Sequence, residues 1–192
     1  MINVPRLSFI CEENKQNRMM PSEPSDQLII YTIGHSNIEL EDFLSLLDGI
    51  EAVVDVRSVP FSKYASQFNM KNIKRALESV GIEYIFMEDK YIGNVLGGRP
   101  KDEDCYENGK VVYENIMRKE WYRKGISALI ELAKKKKVVI MCSEEDPYKC
   151  HRHHLITQSL LKEGIEVFHI RGDGRREKVE KPKKRTVQLT LV

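Results

Sequence analysis

Residues 137–170 read KVVIMCSEEDPYKCHRHHLITQSLLKEGIEVFHI, and the pattern of this stretch indicates the fold class. The β-branched apolar run at 137–142 is typical of a buried strand, and residues 166–170 repeat that pattern. Between the two runs, Asp146 and Pro147 form an N-cap–N1 pair, which predicts a helix from about residue 147 to residue 163. A strand, a helix and a second strand in this order predict an α/β fold with parallel strands.

The same alternation extends upstream of this stretch. Ser36 and Glu39 fit a capping box at the start of one helix. Further strands are predicted at 28–33, 51–57 and 83–87, and further helices at 36–50, 69–82, 112–119 and 121–135. We therefore predict a single three-layer α/β domain, with a mostly parallel sheet of about five strands and flanking helices. The insertion at 88–110 is long for a connection and is typical of a lid or binding loop.

Composition sets the broad class of the protein. The chain has 192 residues, 41% of them hydrophobic, which suits one domain with a proper core. No apolar run approaches the roughly 20 residues of a membrane span, and the N-terminus lacks a signal-peptide pattern. The four unevenly spaced cysteines are not typical of a disulfide framework. We therefore expect a cytoplasmic protein without a membrane partner.

Charge divides the chain into a domain and a basic extension. Residues 171–192 hold eight Lys and Arg against three Asp and Glu, although the whole chain has a net charge of only +2. We predict an irregular leader at 1–27, the α/β domain at 28–172 and a basic extension at 173–192. The extension could bind nucleic acid or another polyanion, or serve only as a solubilising tail.

Reactive residues follow three of the predicted strands. Because ligands bind outside the carboxyl ends of parallel strands, we expect these segments to meet at one edge of the sheet. They are His35 and Ser36 after the first strand, Asp55 and Arg57 at the second, and Cys142 at the fourth.

The residues expected at this edge predict a thiol site that acts on an anionic substrate. Cys142 or Cys150 would be the nucleophile, and His35 or His151 its base. Cys150 would lie near the positive end of the helix, which favours a thiolate. Arg57 and Arg152 would hold the anion, Asp55 would steer Arg57, and Ser36 and Arg99 are further substrate-binding candidates.

The acidic sequence Ser143–Asp146 argues against a phosphate-binding loop, since carboxylates repel phosphate. Either Glu144 or Glu145 would turn inward as a base or polar contact, with Glu144 as the catalytic candidate, or the anion would lie nearer Arg57 and Arg152. A Cys/His metal site is an alternative, with Cys142, Cys150 and His154 as its donors, but the spacing matches no zinc finger or ribbon. A nucleic-acid-binding module using the basic extension and the edge arginines is another. Structural roles also stay open: Ser36 as a helix cap, and each cysteine as a small buried apolar residue. Asp55 and Arg57 could likewise form only a structural pair, and His35 could be a histidine bonded to neighbouring backbone. No cofactor is assigned.

Six segments resemble the domain-of-unknown-function 488 family. In chain order they are YTIGHSN, VVDVRSVPFS, GIEYIF, LGGRP, VVIMCSEEDPYKCHRH and GIEVFHI, spread over Leu28 to Gly172. The resemblance implies a single α/β domain and supplies no reaction. Its signature positions are His35, Ser36, Asp55, Arg57, Cys142, Glu144, Cys150, His151 and Arg152.

A weaker likeness in layout is to rhodanese and the cysteine phosphatases. VVDVR resembles the aspartate–arginine strand of rhodanese, and the run from VVIMC to FHI resembles its cysteine strand, helix and last strand. Those families place an arginine five or six residues after the cysteine, whereas here the first arginine after Cys142 is Arg152. The likeness therefore concerns layout and not reaction.

Overall fold

The computed structural model describes residues 27–181 of the chain. The strands of that part are β1 (Ile29–Gly34), β2 (Ala52–Asp55), β3 (Glu83–Ile85), β4 (Glu88–Asp89), β5 (Gly93–Asn94), β6 (Tyr106–Glu107), β7 (Lys110–Val111), β8 (Val138–Cys142), β9 (Glu166–Ile170) and β10 (Arg176–Lys178). The α-helices are α1 (Leu40–Ser45), α2 (Met70–Ser79), α3 (Tyr113–Arg118), α4 (Glu120–Ala133) and α5 (Gln158–Lys162).

Six of these strands form the central sheet, in the spatial order β10-β9-β1-β8-β2-β3. The pairs between β9, β1, β8, β2 and β3 are parallel, and β10 pairs with β9 in the antiparallel sense. The predicted three-layer α/β fold with a mostly parallel sheet is confirmed. The sheet has six strands instead of about five because the charged residues Arg176–Lys178, which carry no strand pattern, add an edge strand.

Apolar cores cover both faces of the sheet, because successive strand residues point to opposite sides. Ile30 and Val54 face the core shared with α4 and α5, whereas Tyr31, Ile33 and Val53 face the core shared with α1 and α2. Two apolar faces sealed by helices explain why the inner strands are apolar along their whole length. Among residues 27–181, no helix has the length and the apolar content that crossing a membrane requires.

The helix expected after β8 is divided into three segments. Residues Pro147–Lys149 form a 3-10 turn that Asp146 caps by accepting from the Tyr148 N–H. Cys150 is extended, a π-helix spans Arg152–Thr157, and α5 follows it. The predicted N-cap–N1 pair is therefore correct for the short turn only, and the long helical segment begins at His151. π-helices of this kind are frequent at functional sites.

The capping box predicted at Ser36 is wrong. The helix α1 begins at Leu40, and its N-cap is Glu39, which makes no side-chain capping bond. The N–H of Ser36 instead bonds to the Ser143 carbonyl at 2.8 Å, and Ser36 takes a positive φ of 47°. This contact with the loop after β8 turns the chain before a helix can start there.

The insertion at 88–110 folds into two small antiparallel hairpins, β4–β5 and β6–β7. Asn94 fixes it to the sheet by donating to the backbone carbonyls of Asp55 and Arg57, at 2.7 and 3.1 Å. The predicted leader lies almost wholly outside the described residues. The domain boundaries predicted from sequence remain predictions, although β10 shows that the sheet reaches beyond residue 173.

Candidate functional site

The predicted meeting of three strand ends is present at the centre of the sheet. Gly34 at the end of β1 lies opposite Cys142 at the end of β8, and Asp55 at the end of β2 lies opposite Met141. The His35 N–H donates to the Cys142 carbonyl at 3.0 Å. Gly34 is required here, since a Cβ at that position would fall 1.7 Å from the Glu144 carbonyl oxygen.

Two cysteines, a glutamate and a histidine form a compact cluster beyond β8. The Glu144 Oε2 lies 3.0 Å from the Cys142 Sγ and 3.2 Å from the Cys150 Sγ. The His151 Nδ1 lies 3.8 and 3.7 Å from the same two sulfurs. Cys142 and Cys150 are only 4% and 3% exposed, so the sulfurs meet in a mostly dry environment.

Cys150 is placed to carry a thiolate. Its Sγ accepts from the Arg152 N–H at 3.5 Å, and its carbonyl accepts from the N–H groups of His153 and His154. It therefore occupies the capping position of the helical segment, where a negative charge is favoured. A hydrogen bond from Cys142 lowers the pKa of Cys150 to about 5, with help from His151 and Arg152 against the effect of burial.

The contacts within the cluster also shift the pKa values of Cys142 and Glu144. The hydrogen bond to Cys150, followed by burial, raises the pKa of the Cys142 thiol well above its usual value. Burial raises the pKa of the Glu144 carboxyl, but the hydrogen bonds from Cys142 and Cys150 outweigh it and leave that pKa below its usual value. Of the two cysteines, Cys150 is therefore the one that loses its proton more readily.

Arg57 and Asp55 form a buried ion pair beside the cluster. The Arg57 Nη2 lies 2.6 Å from the Asp55 Oδ2, which also accepts from the Tyr84 hydroxyl at 2.7 Å. The Arg57 Nη1 lies 3.2 Å from the His35 Nε2, and the His35 ring stacks on Phe68. Burial and then the charge of Arg57 lower the pKa of His35 to about 4, which keeps that ring neutral.

Arg152 fixes the backbone of the acidic loop at 143–146 from the protein interior. It is fully buried, and its two amino groups donate to the backbone carbonyls of Glu144 and Glu145. The Glu145 carboxylate turns away from the cluster and pairs with Arg171 at 3.0 Å. Arg152 therefore shapes the loop that presents Glu144.

A cavity of about 310 Å³ opens over the cluster. The predicted site residues that line it are Arg57, Arg99, Cys142, Glu144, Cys150 and His151. Four others are absent from the lining: Asp55 and Arg152 are fully buried, His35 lies behind Arg57, and Ser36 is exposed elsewhere. Three cationic residues, Arg57, Arg99 and Lys149, thus line the same cavity as the cluster of Cys142, Glu144, Cys150 and His151.

Comparison with known proteins supplies a family. Residues 39–158, more than half of the chain, match the family model described as Domain of unknown function DUF488. The chain belongs to the DUF488 family. No curated protein and no solved structure matches it. In this DUF488 chain the matched range includes the whole Cys–Glu–Cys–His cluster, whereas His35 and Ser36 precede it.

The DUF488 cluster also offers donors for a metal. The Cys142 Sγ, the Cys150 Sγ and the His151 Nδ1 all lie within 4.8 Å of one another. The histidine near both sulfurs is thus His151, not the His154 expected from i, i+4 spacing. His154 instead contacts the Tyr148 carbonyl through Nε2, at 2.7 Å. The broken helix is the reason, because the extended Cys150 turns its sulfur away from the helical face.

Sequence reasoning missed several residues that build this DUF488 site. Gly98 packs against the His151 ring, where an added Cβ would fall 2.6 Å from the ring Cγ. Lys149 and Tyr113 line the cavity, and Asn94 fixes the insertion at 88–110 to the sheet. The pair Gly97-Gly98 before Arg99 is the sequence signal that could have indicated a close approach of backbone.

Proposed function

We propose that the protein is an enzyme that carries out thiol-dependent chemistry on a small anionic substrate, with Cys150 as the reacting sulfur. The observation that carries the proposal is the position of the Cys150 Sγ. It caps a helical segment, contacts Cys142, Glu144 and His151, and borders the cavity. A sulfur that only filled core space would need none of these polar neighbours.

His151 supplies the proton transfer. Its Nε2 lies 3.0 Å from the Val56 carbonyl, and a proton on that nitrogen makes this a hydrogen bond. The Nδ1 that faces the Cys150 sulfur is then free to accept the thiol proton. In the reacting step the sulfur would bond to an electrophilic atom of the substrate. The leaving group would depart with the electrons of the broken bond and take the proton from His151.

The cations of the cavity favour an anionic substrate. Arg57 faces the cavity from a pair with Asp55 that fixes its geometry, and Arg99 and Lys149 are exposed near the mouth. The Arg99 N–H donates to the Ser58 hydroxyl at 3.0 Å, which holds the arginine backbone at the rim. Among the described residues that line the cavity, Glu144 is the only carboxylate, and it is occupied by the two sulfurs. A negatively charged group would therefore sit on the arginine side of the cavity.

Matched alkylating reagents test both parts of this proposal. The full chain, kept in a chelator, is treated with iodoacetate or iodoacetamide, and the modified cysteine is identified by peptide mass spectrometry. We expect Cys150 to react first. We also expect its preference for the anionic reagent to exceed that of free glutathione at least about tenfold, which corresponds to about 1.4 kcal/mol of charge interaction.

Variants separate the cations from the thiol. Replacing both Arg99 and Lys149 by Gln should lower the preference for iodoacetate while leaving the rate with iodoacetamide nearly unchanged. Lys162→Gln is the control, since Lys162 lines a different cavity. If Cys150 reacts no faster than the buried Cys105, the thiol proposal is wrong; if it reacts without charge preference, the anionic substrate is wrong.

The fold gives less support to the binding of nucleic acid through the basic extension than to thiol chemistry. At the start of that extension, Arg175 pairs with Asp173 and Lys178 with Glu166, and Arg171 just before it pairs with Glu145. Those ion pairs offset charge that would otherwise face a polyanion. The further basic residues Lys183, Lys184 and Arg185 lie outside the described residues.

A further inference from the structure

The three donors of the cluster have the spacing of a metal site. In a tetrahedral zinc site, metal–sulfur distances of about 2.3 Å and metal–nitrogen distances of about 2.0 Å place sulfur and nitrogen about 3.6 Å apart. The His151 Nδ1 lies 3.8 Å from the Cys142 Sγ and 3.7 Å from the Cys150 Sγ. Both nitrogen–sulfur distances are therefore within a few tenths of an ångström of those in a zinc site, and the two sulfurs lie within 4.8 Å of each other.

The orientation of His151 is a second and independent indication. A histidine that binds a metal almost always donates its other ring N–H to a carbonyl, carboxylate or water. The His151 Nε2 lies 3.0 Å from the Val56 carbonyl, which leaves the Nδ1 lone pair directed at the sulfurs. Gly98 approaches this histidine so closely that an added Cβ would fall 2.6 Å from its Cγ and 3.0 Å from its Nδ1. The ring is thus held in the pose of a ligand before any ion arrives.

The charges of the cluster also favour a bound cation. Glu144 brings a carboxylate oxygen to within 3.0 and 3.2 Å of the two sulfurs. Two thiolates and a carboxylate in so small a volume would repel one another strongly. A divalent cation between the sulfurs would offset that repulsion and allow both cysteines to act as ligands.

We propose that Cys142, Cys150 and His151 bind a single thiophilic divalent cation of the Zn²⁺ type, through two sulfurs and Nδ1. Soft thiolates together with an imidazole select zinc over hard cations such as Mg²⁺ or Ca²⁺. All three residues line the cavity, so the fourth coordination position opens onto it. Three protein ligands with one open position are typical of catalytic zinc sites, whereas structural sites use four protein ligands.

The metal site goes beyond the proposed thiol chemistry. The cation and an electrophilic substrate compete for the same sulfurs, so a bound cation masks the Cys150 nucleophile. Zinc loading should therefore slow the alkylation of Cys150 at least about tenfold, the factor that corresponds to about 1.4 kcal/mol. Alkylation in chelator and metal binding by untreated protein are separate readouts, so either proposal can fail while the other stands.

Titration with Co²⁺ and Zn²⁺ tests the metal site on the full chain, stripped with a chelator and kept reduced. We expect one equivalent of Co²⁺ to give intense thiolate-to-metal charge-transfer bands and the d–d bands of a tetrahedral ion, all removed by one equivalent of Zn²⁺. Added azide should shift the d–d bands if the fourth position is open. Weak octahedral bands, or no saturation near one equivalent, would overturn the proposal.

Ligand variants and matched controls locate the ion. Cys142→Ser, Cys150→Ser and His151→Ala should each weaken metal binding by more than the roughly 10- to 100-fold typical of outer-shell changes. Cys105→Ser and His154→Ala should leave binding unchanged, because neither residue belongs to the three-donor group. Equal affinity in the ligand variants and the controls would contradict the assignment.

X-ray absorption of the zinc-loaded native chain keeps the test open if a ligand variant fails to fold. We expect two sulfur neighbours at about 2.3 Å and at least one nitrogen at about 2.0 Å. A shell without sulfur would overturn the proposal.

Discussion

Gly98 lies so close to His151 that an alanine at position 98 would place its Cβ 2.6 Å from the ring Cγ and 3.0 Å from Nδ1. Contacts under 3 Å between such atoms require one of the groups to move. At this glycine the insertion at 88–110 therefore packs directly against the cluster of Cys142, Glu144, Cys150 and His151. In the sequence, 53 positions separate Gly98 from His151.

Gly98→Ala should displace the His151 ring and so impair the cluster without unfolding the protein. We expect zinc affinity to fall about 10- to 100-fold, the range for changes that disturb the orientation of a ligand. Gly172→Ala is the matched control, because its nearest neighbour would be an ordinary contact at 3.8 Å. Metal titration and thermal unfolding of both variants are the measurements. Unchanged zinc affinity in a folded Gly98→Ala protein would show that the loop does not position His151.

Asp55→Ala should be among the most destabilising single changes at the site. Asp55 is fully buried, and its removal would leave the guanidinium of Arg57 buried without its charge partner. Breaking a buried ion pair in this way costs about 3–5 kcal/mol. Tyr84→Phe, which removes only one hydrogen bond to the same carboxylate, should cost less, about 1.5–3 kcal/mol.

Urea unfolding of these two variants measures the difference. If Asp55→Ala proves no more costly than Tyr84→Phe, Arg57 does not depend on Asp55 for its charge balance.

Acid should weaken the fold through two buried histidines. Burial, followed by the charge of Arg57 or of His153 respectively, lowers the pKa of His35 to about 4 and that of His169 to about 3. An unfolded histidine has a pKa of about 6.5, so the unfolded state takes up protons first as the pH falls. This contribution to stability is complete above about pH 6.5 and decreases as the pH drops, towards 4 for His35 and towards 3 for His169. At pH 5 the loss is about 2 kcal/mol for each histidine.

Unfolding free energies measured at pH 7.5 and pH 5 check this prediction. His169 is surrounded by His153, Arg152, Arg171 and Asp146, and its Nδ1 lies 2.7 Å from the Thr32 hydroxyl. His169→Gln should reduce the pH dependence even though it lowers stability at neutral pH. A pH dependence equal to that of the native chain would exclude His169 as a contributor.

Removal of residues 182–192 tests the basic extension and leaves the six described strands of the central sheet intact. Deletion from residue 171 would also remove β10 and the Arg171–Glu145 pair, so it would confuse binding with folding. We expect the shorter deletion to keep the unfolding temperature and to weaken the salt-dependent binding of single-stranded DNA. For every phosphate group that the extension neutralises, the slope of log affinity against log salt should fall by about 0.7 on deletion. Binding with an unchanged slope after deletion would show that the extension binds no phosphate group.

Much of the fold can be predicted from local sequence. β9 spans Glu166–Ile170, the residues expected from its apolar run, and the inner strands differ from their predicted bounds by a few residues at most. These strands are buried on both faces, so their sequence carries a strong and continuous apolar signal. The meeting of His35, Arg57 and Cys142 follows from the rule that parallel strands end at one edge.

The residues that shape the cluster could not be predicted, because their environment is set by distant parts of the chain. Arg152 has the charge of an anion ligand, and only the fold shows that it donates to the carbonyls of Glu144 and Glu145. The Asp146–Pro147 signal correctly predicts the start of a helical turn. It does not show that the turn ends at Cys150 before a π-helix begins. Gly98 acts through a contact that no local pattern contains.

A peptide map of the metal-free native chain, after brief exposure to iodoacetate at neutral pH, is the decisive measurement of whether Cys150 is the reacting sulfur. We predict carboxymethylation of Cys150 before Cys142 and Cys105, and disappearance of that labelling when one equivalent of Zn²⁺ is added first. Equal, slow labelling of Cys105, Cys142 and Cys150, unaffected by Zn²⁺, would contradict this assignment.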